Sequence, residues 1–191
     1  MQLKISHKQF KPYKGCILLS EPFLLDPNFR KTAVLLTEHN DEGSVGFVIN
    51  RPLNLFTDDL LPDTLLYNFP VFYGGPVEKN TLHFIHKNNK EFTEARQITD
   101  DIFWGGTLQE VNDIISANPD KCNDFKFFMG YSGWSSGQLM DEIDMKSWWV
   151  VKALADDVFS DDLEDMWKNL VKKLGSNYAY MANAPEDYLF N

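Results

Sequence analysis

The sequence predicts one α+β domain built on a mainly antiparallel sheet, and three observations predict it. Apolar, β-rich runs are joined by short turns of Asn, Asp and Gly, which points to hairpins rather than the strand–helix–strand alternation of a wound parallel sheet. Helical signals are few, but each brings its own cap. A length of 191 residues, 43% apolar and 24% charged, suits a single ordinary domain (residues 1–191), with no repeat, linker or low-complexity tract to divide it.

Taken in order, residues 1–14 form a basic leading segment with Lys4, Lys8, Lys11 and Lys14. The runs 32–38 and 45–50 then flank a turn at Asn40, Asp41 and Gly43, residue types that favour tight reversals. "TLHFIHKNNKEFTEARQI" predicts a second hairpin turning at Asn88-Asn89. Thr107 with Glu110 three residues on is a capping box, Leu108, Val111, Ile114 and Ile115 mark one helical face, and Pro119 closes it. "FKFFMGYSG" and "SWWVVKAL" read as further strands. Asp161 and Glu164 repeat the capping box. Leu163, Trp167, Leu170 and Leu174 form the face, Lys172 and Lys173 suit the negative end of the helix dipole, and Gly175 is the stop. Residues 176–191 show no period and read as an irregular tail. The words "GFVIN" and "FKFFMG" should be inner strands of one core.

The net charge of −10 and pI near 4.8 work against nucleic-acid binding, which rests on Lys and Arg neutralising phosphates. Four N-terminal lysines do not make a recognition surface, and the expected place of that segment is against the chain's own acidic remainder. Sequence-specific DNA binding is not expected. No run approaches the roughly 18 apolar residues of a membrane span, and the N-terminus lacks an apolar signal region. Cys16 and Cys122 each lie in an apolar stretch and read as buried thiols of a reducing compartment, so the expected location is cytoplasmic and no membrane is expected as partner.

"GWSSG" at 133–137 fits G-x-S-x-G, the nucleophile elbow of esterases. All four histidines precede Ser135, which excludes the order Ser, acid, His that this fold requires. Ser135 with Gln138, followed by Leu139, Met140 and Ile143, is instead a capping box, so Ser135 is expected to be a helix N-cap and the chain not an enzyme. His83 and His86, spaced H-x-x-H, diverge if "LHFIH" is a strand, and His39 is expected exposed in its turn. The acidic stretch 141–165 has no calcium-loop pattern. No metal, catalytic residue or cofactor is expected. Binding candidates are Asn50, Arg51, Gly74, Gly75 and Trp134. Arg51, set in extended geometry by Pro52, has the fork to clamp a carboxylate or phosphate, against the alternative of an internal ion pair. Gly74-Gly75-Pro76 is a tight connection without a phosphate-loop pattern.

Several of these words in order resemble the YqgE/AlgH family of bacterial proteins: "GCILLSEPFLLDPNFRKTAVLL" from Gly15, His39, "GFVINRP", "GGPV" with "LH" at 82–83, and "GYSGWSSGQL", with Glu142, Trp148, Trp167 and Gly175 continuing the pattern. The resemblance implies a single α+β domain whose bent sheet curls into a barrel-like core with helices packed outside. It implies no reaction and no catalytic residues, although some members bear the label of transcriptional regulator. Ser132, Ser135 and Ser136 stand where that pattern often has other small residues or proline, and Met140 where it has glutamate. The functional expectation is a non-catalytic interaction or regulatory module with a protein partner. Its alternative is a small-ligand binder or enzyme with a pocket near Arg51, Gly74-Gly75 and Trp134. Convergent polar groups in a deep pocket would favour the second, and a flat patch of exposed aromatics the first.

Overall fold

Strand β1 (Cys16–Ser20) and the first half of β2 (Ala33–Asn40), Ala33 to Leu36, are apolar at almost every position because both of their faces are covered. In the computed structural model, which describes residues 11–87 and 92–183, successive side chains alternate between two cores. Ile17, Leu19, Ala33 and Leu35 enter one, and Cys16, Leu18, Val34 and Leu36 the other. β2 folds back onto β3 (Gly43–Val48) at the predicted turn, where Asn40 Oδ1 accepts the backbone N–H groups of Glu42 and Gly43. A bulge between Leu36 and Glu38 interrupts the pairing.

The chain continues through β4 (Pro52–Phe56), the short helix α1 (Thr57–Leu60), β5 (Pro70–Tyr73) and the long β6 (Val77–Lys87). Then come β7 (Arg96–Gln97), β8 (Ile102–Trp104), α2 (Leu108–Ala117), β9 (Phe125–Ser135), α3 (Gln138–Asp144) and β10 (Trp148–Lys152). α4 (Ala155–Val158), α5 (Leu163–Lys173) and α6 (Ser176–Ala179) close the described chain. The strand order is β10-β1-β2-β3-β9-β6-β8-β7, with β4 and β5 attached beside β9. Every pairing among the described strands is antiparallel except β5 with β9, and the sheet curls into a half-barrel. β9 is its axis: it pairs with β6 along one edge and with β5 and then β3 along the other. Val48 and Phe127 are fully buried, as expected of inner strands, but they enter different cores; the two words share one core through Phe47, Ile49 and Phe128.

Three helices cover the sheet. Met166, Trp167, Leu170 and Val171 of α5 close the core that contains Phe47, Ile85 and Phe128. Leu139 and Ile143 of α3 close that of Leu18, Val48, Trp134 and Trp148. Val111, Ile114 and Ile115 of α2 close that of Phe69, Phe84 and Phe127.

The predicted cap of α2 is present in both directions, Thr107 Oγ1 accepting from the Glu110 N–H and Glu110 Oε2 from the Thr107 N–H. Elsewhere the structure corrects the expectations. α5 is capped by Asp162, which accepts from the Asp165 N–H at 3.3 Å, one residue later than the capping box at Asp161 placed it. β6 does not pair with the segment that follows it: β8 lies against β6, and β7 lies outside β8, because the later IFW strand is more apolar than Arg96–Gln97 and takes the inner position. The expected turn at Asn88-Asn89 lies outside the described residues. Residues 176–183 are not irregular but form α6 and a 3-10 turn, with Tyr178 packed edge-on to Trp149 and Ala182 buried. Cys16 is buried, and burial raises its thiol to about 11. Cys122 is only half-buried, because it lies not in an apolar stretch but in the polar 3-10 turn PDKCND before β9.

Candidate functional site

The connection from β1 to β2, residues 21–31, is short of regular structure but heavily tied. Asp26 Oδ1 accepts the Asn28 N–H at 2.8 Å, the Phe29 N–H bonds the Asp26 carbonyl, and the Glu21 carboxylate accepts the Phe23 N–H at 2.8 Å. These are the local bonds that Asp and Asn offer a turn. Long-range ties then fix it to the sheet. Asn50 bridges it like an extra strand residue, its Oδ1 accepting the Ala33 N–H and its Nδ2 donating to the Lys31 carbonyl, each at 3.0 Å. Arg51 donates to three carbonyls: Asn28 at 2.8 Å, Pro27 at 3.2 Å and Arg30 at 3.2 Å. Its guanidinium lies 5.5 Å from the Tyr73 ring centre, and the Tyr73 hydroxyl donates to Asn28 Oδ1 at 2.9 Å. Burial raises the Tyr73 phenol above its ordinary range against the opposing pull of Arg51.

From behind, the Phe29 ring packs on Trp134 at 6.1 Å and edge-on to Trp148 at 5.3 Å. Both indole N–H groups donate to one oxygen of Glu142, at 2.9 and 2.7 Å. The tip of this fixed loop holds Phe23, 43% exposed, and Leu25, 76% exposed. Its start is bonded to Ser147, two residues after the exposed Met145.

Three of the five sequence candidates, Asn50, Arg51 and Trp134, thus meet behind this loop. Carbonyls hold Arg51 where a carboxylate was the expected partner. Gly74 and Gly75 serve packing. The Gly74 carbonyl accepts the Val48 N–H and the Ser132 hydroxyl, and a Cβ at Gly74 would collide with the Gly130 carbonyl. The signal for Glu142 was present in the sequence only as part of the family pattern. Nothing there paired it with two tryptophans.

A second locus lies between the β2–β3 turn and the β9–α3 junction. A cavity of about 510 Å³ is lined by His39, Asn40, Asp41, Gly43, Ser44, Ser135, Ser136, Gly137, Leu139 and Met140, none of them among the five candidates. His39 is not exposed in the turn but half-buried at the end of β2, its Nδ1 2.7 Å from Ser44 Oγ across the β2–β3 pair. Ser44 is 5% exposed. Ser135 is not the N-cap of α3. β9 runs on through Ser135, Gly137 occupies the cap position at φ 78°, and the Ser135 hydroxyl donates to Gln138 Oε1 instead of accepting a backbone N–H. Only the returning half of the capping box forms, from the Ser135 N–H to Gln138 Oε1 at 3.0 Å. The left-handed turn needs glycine, which puts the helix start two residues later. The Ser136 hydroxyl donates to the Asp41 carbonyl at 2.6 Å and joins the two turns.

The two other described histidines, His83 and His86, lie on β6 and point apart. His83 sits near Phe47 and Tyr131, with burial lowering its pKa, and His86 stacks on Phe92 at 3.9 Å. Among the described residues no group of three His, Cys, Asp or Glu is placed to hold a metal ion, and no helix is long and apolar enough to cross a membrane. Lys126, hidden in the apolar word "FKFFMG", is 6% exposed. Its ammonium donates to the carbonyls of Ile49 and Val158 at 3.1 and 2.9 Å and lies 4.4 Å from the Phe72 ring centre.

The AlgH-like family model matches residues 17–179. A UPF0301 protein of Chlorobaculum tepidum is 37% identical over 172 residues, covering 90% of this chain and 92% of its own. A UPF0301 protein of Parabacteroides distasonis is 36% identical, covering 98% and 96%. Among solved structures, the AlgH protein of Pseudomonas aeruginosa superimposes with a TM-score of 0.70 at 27% identity, over 93% of this chain and 98% of that one. Protein DIP2367 of Corynebacterium diphtheriae gives 0.79 at 17% identity, over 93% and 95%, a likeness of fold.

Proposed function

We propose that this chain, which belongs to the AlgH-like family, is a cytoplasmic interaction module that carries out no reaction at its contact surface and engages a protein partner through the 21–31 loop. One observation supports this best: Arg51, Asn50, Tyr73 and the Trp134–Phe29–Trp148 stack fix a loop whose apolar tip residues, Phe23 and Leu25, stay in water. A side chain gains nothing for folding by standing exposed, whereas a partner that covers it removes apolar area from water at about 25 cal/mol per Å². A fixed loop also loses little entropy on binding. The acidic balance weighs against a DNA partner, and two free thiols suit a reducing compartment.

The test compares wild type with the Phe23→Ser/Leu25→Ser double variant as immobilised baits. Proteins retained by the first and lost by the second, with equal melting temperatures, are the expected outcome. The same proteins on both baits would refute the reading. A second reading is favoured by a separate observation, the half-open cavity of mixed polar and apolar lining at His39 and Ser44, whose size is that of a small-ligand site. Its place differs from the Arg51 neighbourhood expected from sequence.

A further inference from the structure

We propose that Ser44, with His39 as its base, is an acyl-accepting nucleophile in this cavity; the inference rests on the cavity being a small-ligand site. Of the three serines that line it, two have committed hydroxyls, Ser135 to Gln138 and Ser136 to the Asp41 carbonyl. Ser44 alone is bonded to an imidazole, at 2.7 Å, within the range of a nucleophile–base pair. With the ring hydrogen on Nε2, Nδ1 accepts the Ser44 O–H and is placed to take that proton. Both groups are held by sheet rather than loop: His39 and Ser44 face each other across the β2–β3 register, and Ser44 is paired with Trp134 on the other side. Such support keeps a reacting pair in geometry. Ser44 is 5% exposed and lines the cavity, so bulk water has little access to it.

The ligand class follows from the walls. Met140 offers an apolar side for a short acyl chain, above the buried Leu139, and Asn40, Asp41 and the serines a polar side. In the step, Ser44 Oγ bonds to the carbonyl carbon of a small ester while its proton passes to His39 Nδ1. The ester C–O bond breaks, and His39 returns the proton to the departing alkoxide, giving an alcohol and acyl-Ser44. Water then attacks the acyl carbon, giving its proton to His39; the acyl–Oγ bond breaks, and His39 returns the proton to Ser44 Oγ, releasing the free acid and restoring Ser44.

The full chain is treated with a fluorophosphonate probe and with p-nitrophenyl acetate, and labelled peptides are located by mass spectrometry. Label on Ser44 is expected, absent in Ser44→Ala, slowed about 10²- to 10⁴-fold in His39→Gln as for loss of a general base, and unchanged in Ser116→Ala, an exposed serine of α2 outside the cavity. A non-reactive short-chain amide is titrated in parallel while the amide resonances of Gly43, Ser44 and Gly137 are followed. Resonance shifts without labelling would overturn the nucleophile and keep the ligand site. Neither shifts nor label would overturn both. Label that persists in Ser44→Ala would place the chemistry on another residue and refute the assignment. If His39→Gln fails to fold, the Ser44→Ala and Ser116→Ala pair decides the matter alone.

Discussion

Lys126→Met gives the sharpest energetic test of the fold. The ammonium is surrounded by Ile49, Phe72 and Val158, and desolvation lowers its pKa from 10.5 to about 7, with Asp161 pulling weakly the other way. For a base whose folded pKa is depressed, the unfolded chain binds a proton that the folded chain lacks at every pH between the two values. Unfolding therefore takes up a proton there, and stability rises with pH from about 7 toward 10.5. The slope approaches ~1.4 kcal/mol per pH unit, so this one group should contribute about 2 kcal/mol between pH 7 and 9. Below pH 7 both states are protonated, and the contribution is flat. Methionine keeps most of the stem and removes the titration, while leaving two carbonyls without a donor, a cost that does not change with pH. Urea unfolding of both proteins from pH 6 to 9.5 should show their stability difference moving in favour of wild type by that amount. Parallel stability curves would refute the reasoning and mean that the two carbonyls hold the charged form as well as water does.

Arg51→Ala should lower stability by about 1–2 kcal/mol, the scale of charge-assisted hydrogen bonds at a partly exposed site. Arg51→Lys should recover little, because an ammonium lacks the planar fork that spans three carbonyls; full recovery in urea melts would contradict the clamp. Thr107→Ala should cost about 1 kcal/mol as a lost N-cap, and Ser135→Ala less than about 0.5 because its hydroxyl caps no backbone donor. Thermal melts showing the reverse order would restore Ser135 as the cap. Gly74→Ala should cost more than about 2 kcal/mol by overpacking, whereas Gly137→Ala meets nothing within 4 Å and pays only the strain of φ 78°, about 1 kcal/mol. Equal losses in calorimetry would show that backbone conformation, not close approach, governs Gly74.

Particular residues show where reading the sequence succeeded and where it stopped. Thr107 and Glu110 meet within one turn, so their box was legible and is present. Ser135 and Gln138 carry the same spelling, but Gly137 between them adopts a left-handed turn that moves the helix start. A four-residue pattern does not encode which of its residues leaves the strand. Arg51 reads from the sequence as a clamp for a carboxylate or phosphate or as half of an internal ion pair, yet its partners are carbonyls 21 to 24 residues away, and carbonyls are identical at every position of a sequence. Lys126 looked like one polar residue in an apolar strand.

What the sequence by itself determined is whatever depends on neighbours along the chain. That includes the antiparallel hairpin at Asn40–Gly43, the α2 cap, the apolar strands and the acidic balance, each set by periodicity, by local hydrogen bonds or by composition. Only the tertiary structure decided that β8 rather than β7 takes the place beside β6, that Glu142 serves two tryptophans, and that His39 faces Ser44 beside Ser135. These are meetings between segments distant in sequence or set by strand register. A curled sheet fixes such meetings through the burial of whole faces, an energy shared among many side chains and written in no short stretch of them.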